Sequence, residues 1–458
     1  MLHVPCNMQD LTPSAARTPA LRSRLTGRRS EGKKEDRSVR KLIACGVALV
    51  AALAFTVSGA LGGAEQTPGV TAKTIVIGGT FPLTGVASSY APIPIGMKAY
   101  FSYINARRGP DGKRGVYGRQ IVWKYYNDEY NPANTIQLTR KLVEEDKVFA
   151  TVGQLGTEPV LPTRGYMTQQ KVPQVFVSTG ASQFSTQWRE YPWTTGWQPD
   201  YIAEGRLYGL HVKANHPGKK IAIVYQNDDY GKDYVYGARA ALGKAYADAN
   251  IVAQEPVETT ATSVAAQMIR VRTSGAPIFM VFQLPNPTTR TIGTGKALGY
   301  NPEQIYMNSV AAIKPVTDGM VAALGAEYVN GIISVAYFKD PRDARWTNDA
   351  AMKQYREIIA KYGAGANADD PQVAYGVAKA ESFVQVLYKA GKNLTRAGLM
   401  NAILSMNSPN KFLLPGVVQK TSKADHFVIS QMQLQRFNAN TRLWVPFGRL
   451  IEGRPGRP

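Results

Sequence analysis

The sequence predicts an α/β protein built from two doubly wound parallel-sheet lobes. Two observations predict this class: short β-branched runs alternate with segments whose apolar residues recur at helical spacing, and the alternation restarts after residue 219. The strand segments are apolar at almost every position, as in strands that helices cover on both faces of a parallel sheet. We therefore interpret the chain from residue 73 onward as two series of β–α units.

The first half begins with a strand at 75–79 that ends in glycines. A helix is expected over 95–104, where Met97, Tyr100 and Ile104 recur at helical spacing. Asn131 and Pro132 predict the start of another helix, with the asparagine as cap and the proline in the first turn. The four strands predicted in this half are 75–79, 120–126, 149–152 and 175–177.

The second half repeats the pattern after residues 194–199, which we interpret as a linker. Asp228 and Asp229 follow the first strand of the second half. We expect them to cap a helix, as acids at this position usually do; the alternative is that they are catalytic or calcium-binding carboxylates. Helices dominate 346–407. The predicted strands are 220–225, 277–283, 304–308 and 427–437, the last pairing with 442–447, and the predicted helices between them are 233–248 and 288–298.

The amino-terminal 64 residues carry the pattern of a secretory signal peptide. Residues 1–41 hold ten basic and four acidic residues, 42–57 are apolar and uncharged, and small residues follow. We expect cleavage near Ala60 or Ala64 and a periplasmic location, with an uncleaved signal anchor as the alternative. The 16-residue apolar run is shorter than the roughly 20 residues of a membrane-spanning helix.

Composition argues against several classes of protein. The net charge is +21, but beyond residue 64 the Lys and Arg are scattered, so we expect no nucleic-acid partner. Cleavage would remove both cysteines, Cys6 and Cys45, and the three later histidines lack metal-ligand spacing. We find neither a phosphate-binding loop nor a nucleophile elbow. The sequence therefore predicts no catalytic residue, no metal and no cofactor.

Four loops rich in hydroxyls, glycines and aromatics follow predicted strands. Ligands of open α/β sheets bind beyond the carboxyl ends of strands, and Ser or Thr hydroxyls there can hold a carboxylate. Each loop taken alone could be an ordinary turn, whereas four together favour a ligand cleft. The residues of these loops that we expect to contact the ligand are Tyr90, Gln154, Thr157, Gly180, Ser182 and Tyr230.

Four segments resemble the solute-binding proteins of ABC transporters, of the branched-chain amino-acid (leucine-binding protein) type. The resemblance extends over about 70–450 and is carried by 75–85, 126–133, 172–182 and 226–233. It implies a type I periplasmic binding fold, in which two lobes joined by a three-crossing hinge close on a ligand. The lobes it implies are 73–197 plus 337–414 and 198–336 plus 415–450, with hinge residues near Gly196, Gly331 and Pro415.

The resemblance also assigns roles within the cleft. It implies that the hydroxyl of Thr157 holds the ligand carboxylate, that Gly180 offers a backbone contact, and that Ser182 adds a second hydroxyl. Tyr90 and Tyr230 would line the cleft, and Gln283 would contact the ligand from the second lobe. The acid that pairs with an amino-acid ammonium in this family falls near Ser309, and the stretch 306–312 contains no acid.

The function that follows is capture of a small ligand for an ABC importer, without enzymatic activity. The ligand would carry a carboxylate and be a branched-chain or hydrophobic amino acid, or an aromatic or aliphatic acid. The partners would be that ligand and an inner-membrane permease, and we expect a monomer. The alternatives are an extracellular ligand sensor or amide-binding regulator on the same fold, and an exported α/β enzyme.

Overall fold

A computed structural model describes residues 67–454 of the chain. The expected signal peptide and its cleavage sites lie outside the described residues. None of the helices within 67–454 combines the length and the apolar character that a membrane crossing requires.

The first half folds into a five-stranded parallel sheet in the order β2-β1-β3-β4-β5. Its strands β3 and β4 are buried at every position, which means that both faces of the sheet are covered. The strands are β1 (Thr74–Phe81), β2 (Gln120–Asn127), β3 (Ala150–Val152), β4 (Gln174–Val177) and β5 (Thr194–Gly196).

Helices connect these strands. Asn131 caps helix α2 (Pro132–Glu144), since its side chain accepts hydrogen bonds from the backbone amides of Ala133 and Asn134. Pro132 is the first helical residue, as predicted. The helices of this half are α1 (Pro92–Ala106), α2 (Pro132–Glu144), α3 (Thr157–Val160), α4 (Arg164–Gln169) and α5 (Gln183–Thr186), with short 3₁₀ turns at Ser88–Tyr90 and Leu161–Thr163.

The second half forms an eight-stranded sheet whose parallel part, β7-β6-β8-β9-β10, repeats the topology of the first sheet. Strands β13, β14 and β15 extend it in antiparallel fashion. The strands are β6 (Ile221–Gln226), β7 (Ile251–Val257), β8 (Ile278–Phe282), β9 (Gln304–Met307), β10 (Ile333–Ala336), β13 (Gln431–Asn438), β14 (Leu443–Pro446) and β15 (Ile451–Glu452), while β11 (Asn407–Pro409) and β12 (Val418–Lys420) form a separate pair.

The remaining helices cover the second sheet or return to the first. Helix α14 packs along α1, so the late helical segment completes the first half of the molecule. The helices are α6 (Tyr201–Asn215), α7 (Asp229–Leu242), α8 (Lys244–Asn250), α9 (Ala265–Thr273), α10 (Pro285–Ala297), α11 (Lys314–Leu324), α12 (Ala326–Val329), α13 (Ala350–Tyr362), α14 (Pro371–Ala390) and α15 (Arg396–Ile403), with a 3₁₀ turn at Ala344–Trp346.

Within residues 67–454 the chain passes between the two sheets three times, and backbone hydrogen bonds fix the crossing segments. The Ile429 amide donates to the Trp197 carbonyl at 3.1 Å, and the Leu414 amide donates to the Tyr337 carbonyl at 3.0 Å. The predicted boundary after residue 414 precedes β12, which pairs with β11; the chain enters the second sheet only at Gln431. Gly331 precedes β10, and the chain leaves the second sheet after Ala336.

Several sequence-based expectations differ from the structure. Strands β7 and β10 were not predicted, and the strand expected over 427–437 begins only at Gln431. Residues 194–196 are a strand, β5, because they pair with β4 at the sheet edge, although they were expected to be a linker. The single helix expected over 233–248 is two helices, α7 and α8, which separate at Gly243. The expected cap at Asp228 is confirmed, since its carboxylate accepts a hydrogen bond from the Gly231 amide at 3.1 Å.

Candidate functional site

Loops at the carboxyl ends of the parallel strands of both sheets converge on one cavity. It encloses about 860 Å³ of space that protein atoms do not fill, its mouth included. Loops follow the carboxyl ends of parallel strands, and this end of an α/β sheet is where ligands bind. The polar and aromatic lining residues are Tyr90, Tyr130, Thr157, Ser178, Gln198, Tyr201, Tyr230, Ser309, Tyr337, Phe338, Asp340, Gln372, Tyr375, Gln435 and Trp444.

The first sheet contributes hydroxyl groups to the cavity. Thr157, the first residue of α3, shares a hydrogen bond of 2.6 Å with the hydroxyl of Thr179. Ser178 follows β4 and donates to the carbonyl oxygen of Gly153 at 2.8 Å. Tyr130 follows β2 at a positive φ of 61°, and the Asp128 carboxylate stabilises that turn by accepting from its amide at 3.0 Å.

Tyr201 enters the cavity because Gly180 lies directly beneath it. A Cβ atom at Gly180 would come within 2.4 Å of the Pro199 carbonyl oxygen and 2.6 Å of the Tyr201 ring. The Tyr201 amide donates to the Gly180 carbonyl at 2.8 Å. Only glycine permits this close approach, so Gly180 supports the wall of the cavity without lining it.

The second sheet contributes Tyr230 and Ser309. The Tyr230 ring meets Tyr201 edge-on at 4.8 Å, and the Asn308 side chain bonds the Tyr230 hydroxyl. Ser309 is held from behind by Glu204, whose carboxylate accepts from the Ser309 amide at 2.6 Å and from its hydroxyl at 2.7 Å. Burial raises the pKa of Glu204. Helix α6 thus places an acid behind the stretch 306–312, and its oxygens are engaged by Ser309 and Tyr208.

The crossing after β10 and the start of α14 complete the wall. The Tyr375 hydroxyl donates to Gln198 at 2.7 Å, and its ring meets Trp197 edge-on at 5.0 Å. Asp340, the acid among the lining residues, forms an ion pair of 2.7 Å with Arg342. The wall at this end is thus aromatic, with an acid whose charge is already neutralised.

Six tyrosines line the cavity. Burial raises the pKa values of Tyr90, Tyr230 and Tyr337 well above the usual range. Their hydroxyls therefore stay neutral at physiological pH and serve as hydrogen-bond donors and acceptors. The result is a cavity with apolar rings for a ligand body and neutral hydroxyls for a polar head.

Contacts across the cavity hold the two sheets together. The Tyr90 hydroxyl, after β1, donates to the Val310 carbonyl, after β9, at 2.9 Å. Beside the cavity, Ser182 donates from its amide at 2.6 Å and from its hydroxyl at 3.0 Å to the Asp233 carboxylate on α7. Burial raises the pKa of Asp233 to about 7. The described conformation is thus one in which the two halves are in contact.

Of the eight residues expected to contact a ligand, the structure brings four to the cavity wall: Tyr90, Thr157, Tyr230 and Ser309. Gln154 is instead buried against Thr80 and Thr139, because its side chain points back into the first sheet. Ser182 faces Asp233, and the Gln283 side chain accepts from Thr291 at 2.6 Å. Together with Gly180, these residues lie behind the cavity wall.

Sequence reasoning missed several lining residues. Tyr130 stands four residues beyond the segment 120–126 and could have been found as an aromatic at a strand end. Tyr337 and Asp340 follow β10, a strand that was not predicted, and Tyr375 lies near the start of α14. No local sequence pattern identifies these residues as part of a site. Within residues 67–454, no three His, Cys, Asp or Glu side chains lie close enough to hold a metal ion.

Comparison with known proteins identifies the family. The model of the periplasmic binding protein family matches residues 74–442. An amino acid binding protein of Pseudomonas aeruginosa is 20% identical over 320 residues, which cover 70% of this chain and 79% of that protein.

Solved structures with the same fold include two ABC transporter components. A fatty acid ABC transporter substrate-binding protein from Thermomonospora curvata has a TM-score of 0.70 at 21% identity, covering 85% of this chain and 95% of its own. A solute binding protein from R. palustris in complex with 4-hydroxybenzoate has a TM-score of 0.68 at 16% identity, covering 84% and 98%. The type I periplasmic binding fold expected from the resemblance is confirmed. The chain belongs to the periplasmic binding protein family.

Proposed function

We propose that this protein captures a small carboxylate-bearing ligand in the periplasm for an ABC importer. The ligand is enclosed between the two halves of the molecule, and the closed form delivers it to an inner-membrane permease. The observation that carries the proposal is the tyrosine-lined cavity at the carboxyl ends of two parallel sheets, with Thr157 and Ser178 among its lining residues.

The named ligands of the similar proteins support a carboxylate head. Amino acids, fatty acids and 4-hydroxybenzoate share a carboxylate and differ in the body attached to it. In this chain the hydroxyl of Thr157 is a neutral donor suited to such a head, since Thr179 can donate the hydrogen bond that the two threonines share. The aromatic rings around Tyr201 and Tyr375 suit an apolar body.

The same wall argues for a ligand whose body carries no ammonium group. Asp340 is paired with Arg342, and Glu204 is engaged by Ser309 and Tyr208. A buried ammonium without a free acid is costly. We therefore propose an aromatic or aliphatic acid as the ligand in preference to an α-amino acid.

Thermal shift followed by calorimetry tests the proposal. The panel pairs leucine, valine and phenylalanine with their des-amino acids and adds 4-hydroxybenzoate and octanoate. A ligand at about 100 times its Kd stabilises the folded protein by roughly 2.7 kcal/mol, which a thermal scan detects. We expect the des-amino acids to bind more tightly than the amino acids.

The D340N variant separates the two ligand classes. If Asp340 leaves Arg342 to pair with an ammonium, D340N weakens phenylalanine and leaves 3-phenylpropionate unchanged, which would contradict the choice of ligand. Binding by none of the panel would contradict carboxylate capture itself.

N-terminal sequencing of the exported protein tests its location, with a first residue after Ala60 or Ala64 as the expected result.

A further inference from the structure

Lys379 is a buried lysine directly behind the cavity wall. It lies on α14, and its side chain is 0% exposed. Its Nζ atom donates to the Ser178 hydroxyl and to the Tyr375 hydroxyl, the latter at 2.9 Å. Both of these hydroxyls belong to residues that line the cavity. The lysine is therefore one side chain removed from any ligand in the cavity.

Among the residues that the structure describes, no acid forms an ion pair that would neutralise Lys379. Nζ lies 4.5 Å from the centre of the Tyr375 ring on its own helix and 5.2 Å from that of Trp197 in the first crossing. Ser178 faces it from the end of β4, and Gly153 packs near its stem from the end of β3. Among these neighbours Tyr375 is the titratable group, and within residues 67–454 no carboxylate forms an ion pair with Lys379. Burial alone lowers the pKa of Lys379 well below its usual value.

The hydroxyls that accept from Lys379 donate their own hydrogens elsewhere. Ser178 donates to the Gly153 carbonyl at 2.8 Å, and Tyr375 donates to Gln198 at 2.7 Å. A positive charge on Nζ would polarise both hydroxyls and raise the electrostatic potential at the cavity wall. An anion arriving in the cavity would in turn stabilise that charge, because opposite buried charges favour each other's ionised forms.

We propose that Lys379 is the positioning cation for an anionic ligand head, acting through Ser178 and Tyr375 and taking up one proton from solvent when the ligand binds. This inference rests on the proposed capture of a carboxylate. The proton adds to the neutral amine to give an ammonium, and the ligand stays a carboxylate, so the buried charges balance. A lysine with a merely structural role would hold the same hydrogen bonds and take up no proton.

The first experiment needs no ligand. The free energy of unfolding of wild type and K379M is measured between about pH 6 and pH 9. The unfolded wild-type chain keeps the lysine proton and the folded chain has lost it, so wild type should gain stability relative to K379M as the pH rises. A difference that does not change with pH would mean that Lys379 is already charged in the free protein, and would overturn the proposal.

The second experiment counts protons by calorimetry in two buffers of different ionisation enthalpy. The probes are 4-hydroxybenzoate and octanoate, each beside its neutral amide. We expect up to one proton more to be taken up per bound carboxylate than per bound amide, since any proton that Asp233 binds on closure is common to both probes. In K379M this excess should vanish and carboxylate affinity should fall by roughly tenfold or more, while amide affinity changes little. The control is K296M, since Lys296 bonds the Leu324 carbonyl outside the cavity.

The outcomes separate this inference from the proposed function. Carboxylate binding with no more proton uptake than amide binding, or an excess that persists in K379M, would leave carboxylate capture standing and overturn the role of Lys379. Binding by neither probe nor any acid of the wider panel would overturn both. An excess uptake for the carboxylate that is lost in K379M and kept in K296M would support both.

Discussion

At the scale of single residues, Thr157 is the hydroxyl best placed to test how a ligand head is held. Its side chain is buried at the cavity wall and shares a 2.6 Å hydrogen bond with Thr179. The T157V variant keeps the shape and removes the hydroxyl. We expect carboxylate affinity to fall at least about tenfold, because a hydrogen bond to a charged group contributes roughly 1.5–3 kcal/mol. Calorimetry with the tightest-binding acid of the panel measures the loss.

The matched control is T163V. Thr163 is equally buried, but it bonds the Val160 carbonyl and Gln174 and does not line the cavity. This variant should lose stability and keep ligand affinity. Equal losses of affinity in the two variants would show that Thr157 acts through the fold and not through contact with the ligand.

At the level of helices and strands, alanine substitutions at two glycines should change stability in opposite directions. Gly243 separates α7 from α8 with φ 85° and ψ 148°, a region essentially restricted to glycine. Gly319 is exposed within α11, and an added Cβ there would meet nothing within 4 Å. We expect G243A to lower the free energy of unfolding by about 1–3 kcal/mol. We expect G319A to raise it by roughly 0.5–1 kcal/mol, since alanine is the better helix former.

Urea unfolding of the two variants beside wild type provides the measurement. Each variant should shift the midpoint without changing the slope, because neither alters the surface exposed on unfolding. Stabilisation by G243A would mean that the break between α7 and α8 does not depend on the backbone freedom of glycine.

At the scale of the whole molecule, closure should depend on pH through Asp233. Burial raises the pKa of Asp233 to about 7 in the closed form, and Asp200 and Asp229 add to the increase. In an open form its carboxyl would face water and keep an ordinary pKa near 4. Closure therefore binds a proton. We expect the population of the closed form to increase as the pH falls from about 8 to about 5.5, and to decrease as the pH rises through about 7.

Small-angle scattering of the ligand-free protein measures this closure as a smaller radius of gyration at the lower pH. The D233N variant keeps a side-chain oxygen for the Ser182 amide and cannot titrate, so its radius should vary less with pH. A ligand that binds should also reduce the radius in both proteins. An unchanged radius at ligand saturation would contradict hinge closure.

Much of this molecule follows from local sequence patterns. The apolar strands β1, β6 and β8 and the caps at Asn131 and Asp228 follow from hydrophobic periodicity and from the chemistry of helix ends. The aromatic and hydroxyl loops at strand ends pointed to a ligand cleft, and Tyr90, Thr157 and Tyr230 do line the cavity. These features were predictable because each depends on residues that are neighbours in the chain.

Other features of the fold and of the cavity depend on contacts between segments that are distant in the chain. The short strand β5 exists because β4 lies beside it, and Gln154 turns away from the cavity because Thr80 and Thr139 bind it from behind. Lys379 is an ordinary helical lysine in sequence and becomes a buried group behind the ligand cavity only when α14 returns to the first sheet. Local periodicity was enough to predict the α/β repeat and the loops at its strand ends. Which side chains from distant segments meet there, and how deeply they are buried, depends on long-range packing, which local periodicity does not encode.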